Sequence, residues 1–292
     1  MHGSKSGGPV VVVGSLHHDI VVQSDRQPLR GETLMGHKWF PKFGGKGGNQ
    51  AAAAARLGAE THMIGAVGQD NFGDDLIAGL DAAGVDRTAV ERVQSGSGMS
   101  VAMVDAAGDY SAVVVTGANA QIKEETVASS PVIGRASILL LQNEVPPVIN
   151  RIAATKAQQV GASVLWNAAP TRPDPEGIIK LVDLLIVNAV EAEQFCGQAV
   201  GSLQEAERAA LKLQDLGVNT VVTAGAAGCA WAASDGETGS LPAVAVENAQ
   251  AHGAGDVFCG ALAAHLINAP LSQSIEFAST AAHRHVSGLK LV

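Results

Sequence analysis

The chain has 292 residues, of which 47% are hydrophobic, and its formal charge is −9 because 28 acidic residues outnumber 19 lysines and arginines. That length suffices for one large α/β domain or two small ones. The excess of acidic residues does not provide the positive charge that binds nucleic acid, and no apolar run reaches the ~18–20 residues of a membrane span. We therefore expect a soluble globular protein that binds neither nucleic acid nor membrane.

Cysteine and histidine usage predicts the compartment and argues against structural zinc. The three cysteines, Cys196, Cys229 and Cys259, have no metal-binding or CxxC spacing. Their small, odd number favours a reducing compartment. The nine histidines show no ligand spacing either. The N-terminal segment MHGSKSGG is too polar for a signal peptide, so we expect a cytoplasmic protein.

Apolar β-branched segments alternate with helix-like segments along the chain. The strand-like segments are 9–15, 61–68, 138–142, 162–167, 184–188 and 219–225, and the helix-like segments include 50–58, 205–217 and 254–267. This alternation predicts βαβ units, and hence an α/β fold with a doubly wound, mostly parallel sheet flanked by helices. Aromatic residues make up only 3% of the chain, so its core should consist of Val, Leu, Ile and Ala.

Two segments break this alternation and predict a second, small β-sheet. Residues 17–42 and 98–115 have strand-like patterns, with a turn expected at AAGD between VAMV and YSAVVV. Such strands cannot join the main sheet in sequence order. We expect them to form a lid over an α/β domain made of residues 9–16, 43–97 and 116–292. A closed lid would exclude water from a reaction that is vulnerable to hydrolysis.

The most informative motif is Gly-Ala-Gly-Asp at 253–256, between a strand-like segment (PAVAVEN, 242–248) and the helix-like VFCGALAAHLI. Small residues let a backbone approach a phosphate, and a helix N-terminus directs unpaired N–H groups and a positive dipole end towards it. An aspartate at that point can take a proton from an attacking hydroxyl. Anion cradle and base together indicate phosphoryl transfer to an alcohol, although the tetrad alone also suits ordinary helix capping.

A second glycine-rich loop, FGGKGGNQ at 43–50, opens onto the helix-like AAAAARLGA. It is not a Walker loop, because the Gly-Lys-Ser/Thr spacing is missing. It is not a dinucleotide-binding fingerprint either, because no acidic residue follows about 20 residues later in a strand–loop–helix unit. Glycines beside Lys46 and Asn49 suit a polyol instead, since the backbone can approach closely while two side chains supply directional donors.

These motifs resemble the ribokinase family of carbohydrate kinases, also called the PfkB family. The resemblance covers about residues 9–285 and keeps the family's order and spacing. Its segments are VVVGSLHHDIVV (11–22), PLRGETL (28–34), FGGKGGNQAAAAARLGA (43–59), GAVGQDNFGDDL (65–76), TGANA (116–120), LLLQNEVP (139–146), WNAAP (166–170), IVNAVEAE (186–193), VVTAGAAG (221–228) and AHGAGDVFCGALAA (251–264).

The resemblance implies a role for each matching residue, and it implies ATP and Mg²⁺ as cofactors and a homodimer joined through the lid. Asp256 would be the catalytic base, beside an anion hole formed by Gly253, Ala254 and Gly255. The sugar ligands would be His17, Asp19, Gly45, Lys46, Asn49 and Glu144. The nucleotide side would be lined by Asn188, Thr223, Gly225, Gly228 and Ser279, with Glu191 holding magnesium indirectly.

The chain departs from the family pattern at three places. Gln250 and Ala251 stand where the family carries Asp-Thr, and that aspartate anchors the family's monovalent-cation site, so activation by K⁺ is doubtful. His17-His18-Asp19 replaces an Asn-x-Asp pattern, which leaves the identity of the sugar open. In the final segment, HVSGLKLV, the family's Gly-Ala cation loop and last strand are not recognisable.

We therefore expect an ATP-dependent kinase that phosphorylates a primary hydroxyl of a pentose or related sugar. A nucleoside kinase of the same family is one alternative; it would need an apolar or aromatic base pocket near residues 98–118, and the low aromatic content argues against it. A catalytically weakened sugar-binding or regulatory protein is an alternative of another class. The missing cation aspartate motivates that alternative, and the intact Asp256 and Lys46 argue against it.

Six of the proposed ligands also have ordinary structural interpretations. His17 could be a strand-end residue, and Thr223 could be an ordinary strand residue. Asp19 and Glu144 could be surface carboxylates at strand ends. Asn188 and Glu191 could be a helix N-cap and its first-turn acid.

Overall fold

The computed structural model describes residues 7–106, 110–174, 177–246 and 252–291. The strands in these ranges are β1 (Val10–Val13), β2 (His17–Gln23), β3 (Lys38–Gly44), β4 (Thr61–Gly68), β5 (Asp86–Val93), β6 (Met99–Val104), β7 (Tyr110–Val115), β8 (Ile138–Gln142), β9 (Ser163–Asn167), β10 (Leu184–Asn188), β11 (Asn219–Thr223), β12 (Cys229–Ala232) and β13 (Thr238–Leu241). The α-helices are α1 (Lys46–Arg56), α2 (Asn71–Ala83), α3 (Glu124–Ser129), α4 (Pro147–Val160), α5 (Ala189–Cys196), α6 (Leu203–Gln214), α7 (Ala254–Leu266) and α8 (Leu271–Val286). A search of these ranges finds no helix with the length and apolar character that a bilayer crossing needs.

The larger sheet has the strand order β13-β12-β11-β10-β9-β8-β1-β4-β5. Neighbouring strands from β11 to β5 are parallel, and β12 and β13 extend one edge in antiparallel fashion. This arrangement confirms the predicted doubly wound, mostly parallel sheet. Because β4 and β8 flank β1 on opposite sides, the crevice outside the carboxyl end of β1 is a topological switch point, where such sheets bind ligands.

Each face of the larger sheet packs against its own layer of helices, because successive side chains of a buried strand point to opposite faces. In β1, for example, Val11 and Val13 join one core while Val10 and Val12 join the other. The helices α3, α4, α5 and α6 cover the first face, and α1, α2, α7 and α8 cover the second. Both helix layers therefore pack on the same sheet. They leave uncovered the edge at which the parallel strands have their carboxyl ends, where a site can form.

The smaller sheet has the order β3-β2-β6-β7 and confirms the predicted second sheet. Asp19 on β2 lies opposite Lys42 on β3 and Ser100 on β6, so these three side chains share one face. The sheet is joined to the larger one where β2 follows β1 and where β3 leads into α1. Part of the AAGD turn predicted between β6 and β7, residues 107–109, lies outside the described residues.

One predicted strand is wrong. The segment 242–248 has a strand-like pattern, but β13 ends at Leu241, residues 242–246 form no strand, and 247–248 lie outside the described residues. The strand that pairs with β12 is the preceding segment, TGSL. Pro242 lacks the N–H that a ladder needs, and the alternating Val and Ala residues after it are mostly exposed rather than packed against a core.

Candidate active site

The predicted site residues gather outside the carboxyl ends of the parallel strands. Glu144 follows β8, while Asn188 and Thr223 are the last residues of β10 and β11. Lys46 and Asp256 lie in the first turns of α1 and α7. The hydrogen bonds and charges described below link these positions into one crevice at the switch point.

The carboxylate of Asp256 is held by two amides from α1. Asn49 Nδ2 donates to Asp256 Oδ2 at 3.1 Å, and Gln50 Nε2 donates to Oδ1 at 3.1 Å. Gln50 is oriented in turn by Gln142, whose Nε2 donates to Gln50 Oε1 at 2.8 Å. The two helices can approach closely because residue 260 is glycine; a Cβ there would collide with the carbonyl oxygen of Gln50. Close packing of α1 and α7 thus positions the candidate base.

Burial and one lysine set the charge state of this centre. Burial raises the pKa of Asp256 above its ordinary value, with Lys46 and the two amide donors acting in the opposite direction. For Lys46, burial lowers the pKa, but the carboxylates of Asp256, Glu144 and Glu191 outweigh it and raise the pKa. A charged lysine therefore lies among three carboxylates, and a perturbed aspartate in a crevice is typical of a catalytic base.

Glu144 fixes the glycine-rich loop against the end of β1. Its Oε2 accepts from Ser15 Oγ at 2.5 Å and from the backbone N–H of Lys46 at 2.9 Å. Gly45 has φ +85°, and a Cβ there would lie 2.7 Å from the backbone nitrogen of His17. Only glycine allows this backbone conformation and this approach at low cost. Glu144 is thus a partly buried structural partner of the loop rather than a fully exposed surface carboxylate.

His17 lies beside Glu144, and one of its ring nitrogens is unsatisfied in the described part of the chain. The residue is 4% exposed, and its Nδ1 lies 3.7 Å from Glu144 Oε2. Its Nε2 is buried and has no hydrogen-bond partner within the part of the chain that the structure describes. A buried ring nitrogen without a partner is destabilising, so a ligand hydroxyl at this point would satisfy it.

Asp19 is buried on the smaller sheet and points towards the site. Ser100 Oγ donates to Asp19 Oδ1 at 2.5 Å, and the carboxylate lies over Gly44, where a Cβ would collide with Oδ2. Lys42, directly opposite on β3, is half-buried; burial lowers its pKa, while Asp19 and Asp256 act in the opposite direction. Lys42 therefore brings a second lysine close to both carboxylates.

Asn188 and Glu191 form a capping box at the start of α5. Asn188 Oδ1 accepts from the Glu191 N–H at 2.9 Å, and Glu191 Oε2 accepts from the Asn188 N–H at 2.7 Å. The interpretation of Asn188 as a helix N-cap and Glu191 as its first-turn acid is therefore correct. Burial also raises the pKa of Glu191, with Lys46 lowering it and Asp256 raising it, so this carboxylate interacts with the charges of the site.

The other predicted nucleotide-side residues lie along the edge formed by β11, β12 and α8. Thr223 ends β11, and its Oγ1 donates to the Val187 carbonyl at 3.4 Å. Gly225 and Gly228 have positive φ in the turn between β11 and β12. Ser279 on α8 lies with its Oγ 3.5 Å from Cys229 Sγ. The structure thus groups these residues at one end of the crevice.

The Gly-Ala-Gly-Asp segment forms an open cradle at the start of α7. Gly253 has φ +86° and precedes the helix, whose first-turn N–H groups have no partner within the helix. A Cβ built on Gly255 would meet no atom of the described residues within 4 Å, so the first turn of α7 is open on that side. Gln250 and Ala251, which replace the family's cation-site pair, lie outside the described residues. In the described ranges, no group of three or more His, Cys, Asp and Glu side chains could hold a metal ion.

Comparison with known proteins agrees with the fold and the motifs. The family model for pfkB family carbohydrate kinases matches residues 9–288. Mouse ribokinase is 36% identical over 266 residues, covering 89% of this chain and 82% of the relative. Deoxyribokinase of Salmonella typhi is 31% identical, covering 88% and 85%. A structure of Arabidopsis thaliana ribokinase complexed with ribose and ATP superposes with a TM-score of 0.86 at 30% identity, covering 96% and 92%. The chain belongs to the pfkB family of carbohydrate kinases, and it is an ATP-dependent sugar kinase.

Sequence reasoning missed four side chains that support the site. Gln50 and Gln142 orient Asp256, Ser100 orients Asp19, and Lys42 adds a charge. A signal existed for Lys42, because it ends the predicted strand-like segment 17–42 directly before the glycine-rich loop at 43–50. The two glutamines gave no such signal, since their contact joins segments far apart in the sequence.

Proposed function

We propose that this kinase transfers the γ-phosphate of ATP to the primary hydroxyl of ribose or a closely related pentose. The observation that carries the proposal is the buried Asp256. It lies beside the open cradle of Gly253–Gly255 and accepts a hydrogen bond from Asn49 on α1, the helix that begins in the glycine-rich loop. The resemblance to proteins described as ribokinase and deoxyribokinase supports a pentose. It does not favour the alternative of a nucleoside kinase.

Sugar hydroxyls would lie between the two sheets. Asp19 and Glu144 would accept hydrogen bonds from them, while Lys46 and Asn49 would donate. His17 Nε2 has no partner among the described residues, which supports the place of His17 among these ligands, because a hydroxyl can either donate to or accept from an imidazole nitrogen. Gly45 would allow the sugar ring to approach the backbone.

Asp256 would take the proton of the attacking hydroxyl as the oxygen approaches the γ-phosphorus. Asn49 and Gln50 hold the two carboxylate oxygens, so the base reaches the reaction already oriented. The N–H groups of Gly253, Ala254 and Gly255, with the positive end of the α7 dipole, would stabilise charge on the transferring phosphate.

The nucleotide and its magnesium would lie towards α5 and β11. Magnesium commonly uses one or two carboxylates together with waters and substrate phosphates, so it does not need the dense ligand cluster that the described residues lack. Glu191 fits this requirement, because it is buried and interacts with Lys46 and Asp256. When bound, Mg²⁺ would neutralise charge on the phosphates. Asn188, Thr223, Gly225, Gly228 and Ser279 would contact the nucleotide.

We also propose that the smaller sheet is a lid and that it joins two copies of the chain. Its face opposite Asp19 carries the exposed side chains of Trp39, Val101, Val113 and Val115, which are 66%, 37%, 69% and 50% exposed. Contiguous exposed apolar side chains mark an interaction surface. The buried, unbridged cysteines support a reducing compartment, which we propose is the cytoplasm.

Oligomeric state tests the lid interface. We expect light scattering to give a dimer mass for the wild type and a monomer mass for Val113→Lys. A matched change at an exposed apolar position outside the lid, Leu211→Lys, should leave the dimer intact. A monomeric wild type would contradict the interface.

A substrate panel tests the function. ADP formation should be measured with ATP and ribose, deoxyribose, other pentoses, hexoses and adenosine. We expect the highest kcat/KM for ribose or deoxyribose. A preference for adenosine would indicate a nucleoside kinase instead. Saturable sugar binding without turnover would favour the alternative of a catalytically weakened sugar-binding or regulatory protein.

A further inference from the structure

The start of α7 is held by a side chain from α8 that the assignment of the site did not use. His285 lies in the last turn of α8. Its Nε2 lies 3.0 Å from the carbonyl oxygen of His252. Since a carbonyl can only accept, the imidazole nitrogen is the donor, and Nε2 carries the hydrogen.

That carbonyl belongs to the same peptide unit as the N–H of Gly253, the first donor of the proposed anion hole. The peptide group is planar, so a donor that fixes the C=O direction also fixes the N–H direction. A hydrogen bond accepted at the carbonyl also polarises the group and strengthens its N–H as a donor. His285 therefore acts on the cradle without touching the phosphate.

The surroundings of Gly253 show that this contact matters for the backbone. Gly253 has φ +86°, which is a left-handed conformation. Because this conformation lies outside the α-helical region, the helix that follows does not fix it. The ring of His285 is the nearest neighbour of the position where a Cβ on Gly253 would lie, at 3.5 Å for Nε2 and 3.9 Å for Cε1. The imidazole thus lies beside this peptide unit as well as bonding to it.

We propose that His285 is a positioning residue for phosphoryl transfer, which holds and polarises the His252–Gly253 peptide so that the Gly253 N–H points at the transferring phosphate. The inference rests on the proposed role of residues 253–255 as the anion hole. It assigns a contribution to the transition state to a residue at the end of α8.

Three variants separate this role from packing. His285→Leu keeps much of the side-chain volume and removes the donor, whereas His285→Gln keeps an N–H₂ group at similar reach. His283→Ala is the matched control, because it removes a histidine two positions earlier whose Nδ1 has no hydrogen-bond partner in the described ranges. Each is assayed for kcat, both KM values and Tm with ribose and ATP.

The second readout is the affinity for a transition-state mimic, ADP with aluminium fluoride in the presence of ribose, compared with ADP alone. We expect His285→Leu to lower kcat about 2- to 12-fold, the effect of one neutral hydrogen bond, and to weaken binding of the mimic by the same factor. Affinity for ADP alone and KM for ribose should not change. His285→Gln should recover most of the loss, and His283→Ala should behave like the wild type.

Two results would overturn the inference. One is a His285→Leu variant whose kcat and mimic affinity equal those of the wild type. The other is an equal loss in His285→Leu and His285→Gln that follows a loss of Tm, which would assign His285 to packing. Absence of turnover in the wild type would instead refute the proposed function itself.

Discussion

Replacing Asp256 by Asn removes the proposed proton acceptor while keeping the shape of the side chain. In the wild type the two carboxylate oxygens accept from Asn49 and Gln50. The Gln50 amide is locked, because its oxygen accepts from Gln142, so the oxygen of the new amide should turn towards Gln50. Asn49 can then reverse its own amide and accept from the new N–H₂ group. The network therefore survives with its hydrogen bonds satisfied.

The expected loss of rate follows from the loss of the base alone. General-base catalysis contributes about 10²–10⁴-fold, which corresponds to about 2.7–5.4 kcal/mol in the activation free energy. We expect kcat for ribose to fall by at least this factor, with the affinities for ribose and ATP nearly unchanged. Stability should change by no more than about 1 kcal/mol, because a buried charge is removed and no hydrogen bond is lost.

A coupled assay for ADP with saturating ribose and ATP measures the change, and thermal unfolding checks the fold. Asp183→Asn is the matched control, because Asp183 precedes β10 at the end of that strand away from the site, and its Oδ2 accepts from the Val164 N–H, which the amide oxygen of Asn can still do. Its kcat should stay close to that of the wild type. An Asp256→Asn enzyme that keeps more than a tenth of the wild-type kcat would refute the reasoning.

Three further predictions follow from the site. Lys46→Ala should raise the KM for ribose about 10- to 150-fold and the KM for ATP much less. Because Lys46 lowers the pKa of Asp256, the acid limb of the pH–rate profile should also move to higher pH in this variant. An acid limb at the wild-type pH would contradict the proposed effect of Lys46 on Asp256. Gln50→Leu should lower kcat several-fold without raising the KM for ribose, because it frees one oxygen of the base; steady-state kinetics decide, and an unchanged kcat would mean that Asn49 alone suffices. Potassium should raise turnover little over a choline control, since Gln250 is neutral, and an increase of about tenfold or more would contradict this.

The architecture could be predicted because its signals are local. Buried parallel strands such as β4, β8 and β10 were predicted with their exact bounds, since each is a short run of apolar residues between turn signals. The edge strands β5 and β13 were not, because half-exposed strands lack that pattern. The buried strand β12 was missed for another reason, since its sequence Cys-Ala-Trp-Ala contains no β-branched residue. The alternating Val and Ala residues at 242–248 led to a wrong strand prediction, since hydrophobic periodicity does not report whether a partner strand exists.

The site could be predicted only as far as the motifs reach. Asp256 and Lys46 occur in glycine-rich turns whose sequence indicates their chemistry. Gln142 and Gln50 support that chemistry through a contact between β8 and α1, and no local pattern encodes it. His285 shows the same limit, because its partner carbonyl lies 33 positions away in the sequence.

The most direct test of the central claim is to identify the phosphorylated product. Phosphorus NMR of a reaction with ATP, Mg²⁺ and ribose should show a phosphomonoester that grows in step with ADP. Coupling of that phosphorus to the C5 protons of ribose would place the phosphate on the primary hydroxyl. Inorganic phosphate as the only new product beside ADP, or a phosphoester on another ribose hydroxyl, would contradict the account.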